Sequence, residues 1–149
     1  MNIAKIIGFS FIITATAFAE IGQTETQIEA KYGKPVGVVP NNPPVPGITR
    51  SYNFAGYLIE VTFLNRTCMM ETFSKNGSER MHLDDISALL LSYNPGHKWT
   101  YQGNQGTDLQ YWVRDDLYLV ASFSSLYSKV SISTPEFFGT LGVGNTKRN

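Results

Sequence analysis

The chain has one cysteine, two histidines and no excess of charge, and each shortage excludes a class of protein. With Cys68 alone, no disulfide can form within the chain. The 12 basic residues balance the 12 acidic ones, so there is no basic surface to neutralise phosphates and no nucleic-acid partner is expected. What the chain does have is aromatic residues and few charges, a composition typical of a folded domain.

The N-terminal segment has the three parts of a secretory signal. A short region with one cation, Lys5, precedes the apolar run Ile6–Ala15, and small residues follow at Ala17 and Ala19. The run is shorter than the roughly 20 residues that span a bilayer, which disfavours the alternative of a membrane anchor. We therefore predict a signal peptide over residues 1–19, with no stable membrane span after cleavage, and a periplasmic or secreted protein.

The remaining length suits one α+β domain, predicted over residues 20–138 with a flexible tail over 139–149. A helix is predicted from Thr24 to Tyr32, because Thr24 and Gln27 can form a capping box and Gly33 ends the pattern. A loop is predicted over 36–47, where prolines disfavour a central strand. Three strands follow, at 49–54, 57–64 and 67–73. In the second of them Tyr57, Ile59, Val61 and Phe63 form the core side.

A second helix is predicted from Asp84 to Tyr93, with two acidic residues in its first turn. Strands are then predicted at 98–101, 109–113, 117–123 and 129–133, with a loop over 102–108. The pattern is helix and strands, then helix and strands again. It predicts an antiparallel sheet with both helices on one face, built as tandem helix-plus-strands units, and with the other face in solvent.

The segment Gly22–Pro35 reads GQTETQIEAKYGKP and follows the pattern G-x-T-x-x-x-[V/I]-x-x-x-[L/Y]-G-x-P. It resembles the opening helix of the SmpA/OmlA family, the small lipoprotein of outer-membrane β-barrel assembly, and of the β-lactamase-inhibitor-protein-like fold. The resemblance implies an exported α+β domain, in the second case made of tandem units. The chain departs from SmpA/OmlA at Glu20, where that family has a lipidated cysteine. No binding residue carries over.

The residues that favour an enzyme are few. Cys68 beside His82 or His97, or a carboxylate beside either histidine, would suit a small secreted hydrolase. Against this, Cys68 lies within a predicted strand, where a buried structural cysteine is the commoner case. His82 and His97 flank the second helix about 15–20 Å apart, too far for one zinc ion with Asp84 and Asp85. No catalytic residue, metal or cofactor is predicted.

Four aromatic residues cluster in the second half of the sequence: Trp99, Tyr101, Tyr111 and Trp112. They either fill the core or form an exposed platform for a protein or a sugar ring. Neighbours in a strand point to opposite faces, so Tyr111 and Trp112 cannot both face the core. We predict a non-catalytic exported module that binds a protein or ligand through these four residues, with an envelope or extracellular protein as partner. A lipid or small-ligand carrier would need a cavity that the sequence does not reveal.

Overall fold

The computed structural model describes residues 21–40, 46–93 and 96–140. The predicted signal peptide, residues 41–45 of the proline-rich loop and residues 141–149 of the predicted tail lie outside the described residues. Within the described part, no helix has the length and apolar character needed to cross a membrane.

The described residues form three helices and one antiparallel sheet of eight strands, which confirms the predicted α+β class. The strands lie in the order β1-β2-β3-β4-β8-β7-β6-β5, so β4 and β8 meet at the centre. The elements are α1 (Glu25–Tyr32), β1 (Gly37–Val39), β2 (Ile48–Phe54), β3 (Tyr57–Leu64), β4 (Thr67–Lys75), α2 (Leu83–Ser92), β5 (Trp99–Gln105), β6 (Leu109–Arg114), β7 (Val120–Ser124), β8 (Lys129–Ser133) and α3 (Pro135–Thr140).

Local sequence signals set several of these boundaries. The N-cap Thr24 forms the predicted capping box with Gln27, whose side chain accepts from the Thr24 N–H at 2.8 Å. Asn65 and Arg66 both have positive φ, at 51° and 64°. That conformation gives a two-residue turn whose twist matches the flanking strands, and it joins β3 to β4 as a hairpin.

One hydrophobic core contains residues of α1, of α2 and of the sheet. Ile28 and Tyr32 of α1 belong to it, and so do Leu89 of α2 and Tyr93 just after it. The predicted core side of β3 is confirmed. Ile59, Val61 and Phe63 are buried, and Tyr57 packs partly against the same cluster.

The structure differs from the predicted elements at four places. The predicted loop 36–47 contains β1, which pairs with β2. The predicted loop 102–108 is wrong in its first half, because β5 continues to Gln105 through an irregularity between Tyr101 and Gly103. Strand β7 begins at Val120 rather than Leu117. No helix is predicted at Pro135–Thr140, where α3 lies, and α3 includes residues 139 and 140 of the predicted tail.

The opposite face of the sheet is not wholly open to solvent, contrary to expectation. Thr62 and Ser133 point away from the main core but are buried, and so is Val120. Phe137 of α3 is also buried, although neither it nor Val120 belongs to the main cluster. We infer that α3, which follows β8 directly, covers this end of the face.

Candidate functional site

Helix α2 contacts the strands at the centre of the sheet at both of its ends. At its N-terminal end Asp85 Oδ1 is 2.8 Å from Lys75 Nζ on β4 and accepts from the Tyr57 hydroxyl on β3 at 3.4 Å. At its C-terminal end the Tyr93 ring meets the Phe73 ring of β4 edge to face, with centroids 6.2 Å apart. These contacts draw α2 towards β3 and β4.

The same face of β5 and β6 is therefore only partly covered. No residue of either strand is fully buried. The register shows which side chains face the helices: Trp112 lies opposite Ala121, a core residue, and Tyr101 lies opposite Trp112. Trp99 is on this face as well, because its indole N–H donates to the Leu90 carbonyl of α2 at 2.8 Å.

Trp99, Tyr101 and Trp112 together form what we call the aromatic patch. The rings of Tyr101 and Trp112 are tilted by 55° with centroids 5.6 Å apart. Tyr101 is 50% exposed, and its hydroxyl donates to Asn104 Oδ1 at 2.5 Å, which fixes the ring. Trp99 and Trp112 are half-buried and rest on the core. The patch is thus an aromatic surface of which two rings pack against the core.

The fourth predicted residue, Tyr111, does not join the patch. It lies opposite Ser122 of β7, which in turn lies opposite Ser131 of β8, and this row faces away from the main core. The predicted four-residue site is therefore divided between two faces. This is the outcome that alternation along the strand requires for adjacent residues.

A polar cluster that the sequence reasoning did not assemble lies where the turn after β6 meets the chain before β5. His97 Nδ1 is 2.8 Å from Asp115 Oδ1, and His97 Nε2 is 3.6 Å from Asp116 Oδ2. Arg114 donates to both oxygens of Asp116, from Nε at 2.9 Å and from Nη2 at 2.7 Å. The signal available in the sequence was the Arg114-Asp115-Asp116 turn, which the β5–β6 pairing brings next to His97.

The electrostatics of this cluster favour a structural role. The hydrogen bonds from Arg114 lower the pKa of Asp116 to about 2, and the bond with His97 lowers the pKa of Asp115. Ligand atoms of the three residues lie within 4.8 Å of one another, a spacing compatible with a metal ion. The guanidinium already occupies both oxygens of Asp116, however, so a cation there would have to displace it.

Cys68 is poorly suited to act as a nucleophile. It is 0% exposed, and burial followed by the nearby charge of Glu71 raises its pKa well above the usual range. The thiol donates only a long bond to the Met70 carbonyl, at 3.9 Å. His82 lies at the N-cap of α2, where its backbone N–H donates to Asp85 Oδ2 at 2.9 Å. No contact between Cys68 and a histidine occurs in the part of the chain that is described.

Comparisons with known proteins give no assignment. No protein-family model matches the chain, and no curated protein matches it. Among solved structures, the chain is similar to a cysteine-rich secretory protein from Staphylococcus aureus subsp. aureus Mu50, at 14% identity and a TM-score of 0.46. The similarity covers 83% of this chain and 46% of that one, so the chain spans less than half of that protein's length.

Proposed function

We propose that this protein is an exported, non-catalytic binding module, and that the aromatic patch of Trp99, Tyr101 and Trp112 is its contact surface. The observation that carries the proposal is that the side of β5 and β6 that faces the helices is only partly covered. Large rings on the helix side of β5 and β6 are supported by the core and only partly covered, with Trp99 bonded to α2 and Tyr101 half exposed. Aromatic anchors of this kind dominate protein interfaces, because they bury much surface and lose little side-chain entropy.

A protein partner from the envelope or the extracellular space suits this surface. β5 is the last strand of the described sheet, so the patch borders an edge where another chain can approach. The strand is seven residues long and contains neither a charged residue nor a proline. Export is inferred from the leader-like segment at residues 1–19.

We also propose that the domain consists of two tandem units, each a helix followed by four strands, with α1 and α2 on one face. The order of elements supports this, since α1 precedes β1 to β4 and α2 precedes β5 to β8. From the central pair outwards, the strands follow as β4, β3, β2, β1 on one side and as β8, β7, β6, β5 on the other. Both helices contribute to a single core cluster.

The rival hypothesis of a small hydrolase finds less support. Its thiol version needs Cys68 to be reachable, and Cys68 is buried. Its carboxylate version needs a histidine nitrogen that can accept a proton from a substrate or water. Both ring nitrogens of His97 face carboxylates that are already engaged, one by the Lys98 backbone N–H and the other by Arg114.

The test is in-cell crosslinking of the tagged protein, with identification of what is captured and N-terminal sequencing of the recovered chain. Processing after Ala19 is expected. Trp112→Ala combined with Tyr101→Ala should abolish capture of the partner. Tyr111→Ala is the matched control, because it removes a similar ring from the other face and should leave capture intact. Capture that survives the double variant, or is lost equally with Tyr111→Ala, would contradict the site.

A further inference from the structure

A cleft of about 470 Å³ lies at the hairpin end of the sheet and shares no residue with the aromatic patch. Its floor is formed by Leu58 of β3 and Ser74 of β4, which are cross-strand partners. Its walls are the segment that leads from β4 to α2 and the turn between β7 and β8. A volume of this order accommodates a small ligand.

The two walls are held in place by hydrogen bonds within the protein. The Met81 backbone N–H, at the end of one wall, donates to Ser128 Oγ on the other at 2.8 Å. Lys129 Nζ donates to Glu60 Oε2 on the neighbouring row of β3 at 2.7 Å. The cleft is therefore already formed without a ligand, which lowers the entropic cost of binding.

The charges that line the cleft are unequal. The lining contains three cationic side chains, Lys75, Arg80 and Lys129, and one carboxylate, Glu79. Lys75 pairs with Asp85 at 2.8 Å and with Glu79 at 4.0 Å, and Lys129 pairs with Glu60 at 2.7 Å. Arg80 is exposed and forms no ion pair with any described residue. A guanidinium without an ion-pair partner can donate two parallel hydrogen bonds to a carboxylate, which makes it the side chain best suited to hold one.

The remaining lining groups suit a sugar ring. Tyr127 is 71% exposed, so one face of its ring is available for stacking. The Asn53 amide and the Ser74 hydroxyl lie in the same cleft and can bond to hydroxyl groups. An apolar ring face next to amide, hydroxyl and guanidinium groups is complementary to a saccharide that has one apolar face and many hydroxyls.

We propose that this cleft binds an acidic monosaccharide unit, with its carboxylate on Arg80, its ring against Tyr127 and its hydroxyls on Asn53 and Ser74. The site is independent of the proposed partner surface, since the two share no residue. An anionic sugar is favoured over a neutral one because the cation without a carboxylate partner lies inside the cleft.

The test is a titration of the exported protein with sodium glucuronate, followed by backbone amide NMR at constant ionic strength, with glucose as the neutral comparison. Saturable shifts are expected at Gly77 and Tyr127, with glucose binding about tenfold or more weakly. Arg80→Gln should remove that difference between the two sugars. Tyr127→Ala should weaken binding of both sugars, and Tyr127→Phe should restore it.

The control is Lys34→Gln, which removes an exposed cation that does not line the cleft. No saturable shift, equal binding of glucuronate and glucose, or equal weakening by Lys34→Gln and Arg80→Gln would each overturn the proposal. The Tyr101→Ala and Trp112→Ala double variant should bind glucuronate normally. Failure of this cleft is thus distinguishable from failure of the partner surface.

Discussion

The two flanks of the sheet carry similar aromatic side chains but differ in how the adjacent helix covers them. On the first flank α1 lies out over β2: the Tyr32 ring is 5.7 Å from that of Tyr52 and 5.1 Å from that of Phe54. Arg50 of β2 forms ion pairs with Glu25 and Glu29 on the same helix. On the second flank α2 lies towards β3 and β4, and the outer strands β5 and β6 are left half-covered.

The burial of a strand aromatic in this sheet goes with both its strand position and the helix that lies over it. Tyr52 is completely buried, and burial raises its pKa to about 12. Tyr101 lies on the last strand of the described sheet, β5, and is half in solvent. Tyr52 beneath α1 is therefore part of the core, whereas Tyr101 presents half of its surface to solvent.

The largest expected effect is the loss of Tyr32. Tyr32→Ala should destabilise the protein by roughly 3–5 kcal/mol, because it removes a buried ring and leaves a cavity between α1 and the sheet. Urea denaturation followed by circular dichroism measures the change. Tyr101→Ala is the matched variant on the open flank and should shift stability by about 0.5 kcal/mol or less. Equal losses from the two variants would show that both flanks are covered.

A smaller effect isolates the polar contact beneath α1. The Tyr32 hydroxyl donates to Oε1 of Glu71 at 3.0 Å, and Glu71 is 0% exposed. Tyr32→Phe keeps the ring but takes this donor from a buried carboxylate, which should cost about 1–3 kcal/mol in urea denaturation. Tyr127→Phe is the control, since that hydroxyl is on the surface and its loss should be neutral. If Tyr32→Phe is also neutral, the hydroxyl contact with Glu71 contributes nothing to the stability of the protein.

Short-range patterns were sufficient to predict most elements. The capping box at Thr24 and Gln27 involves residues three apart, and the alternation along β3 depends only on which neighbours are apolar. The prediction that Trp112 and Tyr111 face opposite sides agrees with their cross-strand partners. Such features are decided within a few residues, so the sequence contains them.

Features that depend on distant partners could not be predicted in this way. β1 is a strand only because β2 pairs with it, and its three residues carry no pattern of their own. Glu71 lies within the β4 run, where nothing local indicates that Tyr32, 39 residues away, will meet it. The partly covered flank depends on where α2 packs, and its contacts include Lys75 and Phe73 on the preceding strand β4.

A pH effect should follow from the turn on the open flank. The pKa of Asp116 falls from an ordinary 3.8 to about 2, first through the Arg114 hydrogen bonds, and that of Asp115 is lowered first by His97. A lowered folded-state pKa gives stability above the ordinary value that is lost as pH falls through the folded value. Melting temperature should therefore drop between about pH 4 and pH 2. The drop should be modest, because solvent-exposed ion pairs contribute little.

The control for this turn is Arg114→Gln, which should flatten the dependence of melting temperature on pH across that interval. Arg114 also donates to the Tyr93 carbonyl at 3.0 Å, so the variant is expected to be less stable at every pH. The slope, rather than the stability itself, is thus the informative quantity. An unchanged slope would assign the acid sensitivity to other carboxylates, such as Asp85, whose pKa is lowered first by its hydrogen bond with Lys75.

The smallest effect on stability is expected from a variant that tests, by thiol labelling, how well each flank of the sheet is shielded from solvent. Cys68 is 0% exposed and belongs to the main core. Its raised pKa keeps the thiol protonated, so a disulfide reagent should label it only after unfolding in urea. Tyr101→Cys places a thiol on the open flank and should be labelled in the native state, with stability changed by about 0.5 kcal/mol or less. Rapid labelling of native Cys68 would mean that the covered flank opens readily, and the contrast between the flanks would then be one of dynamics rather than of helix position.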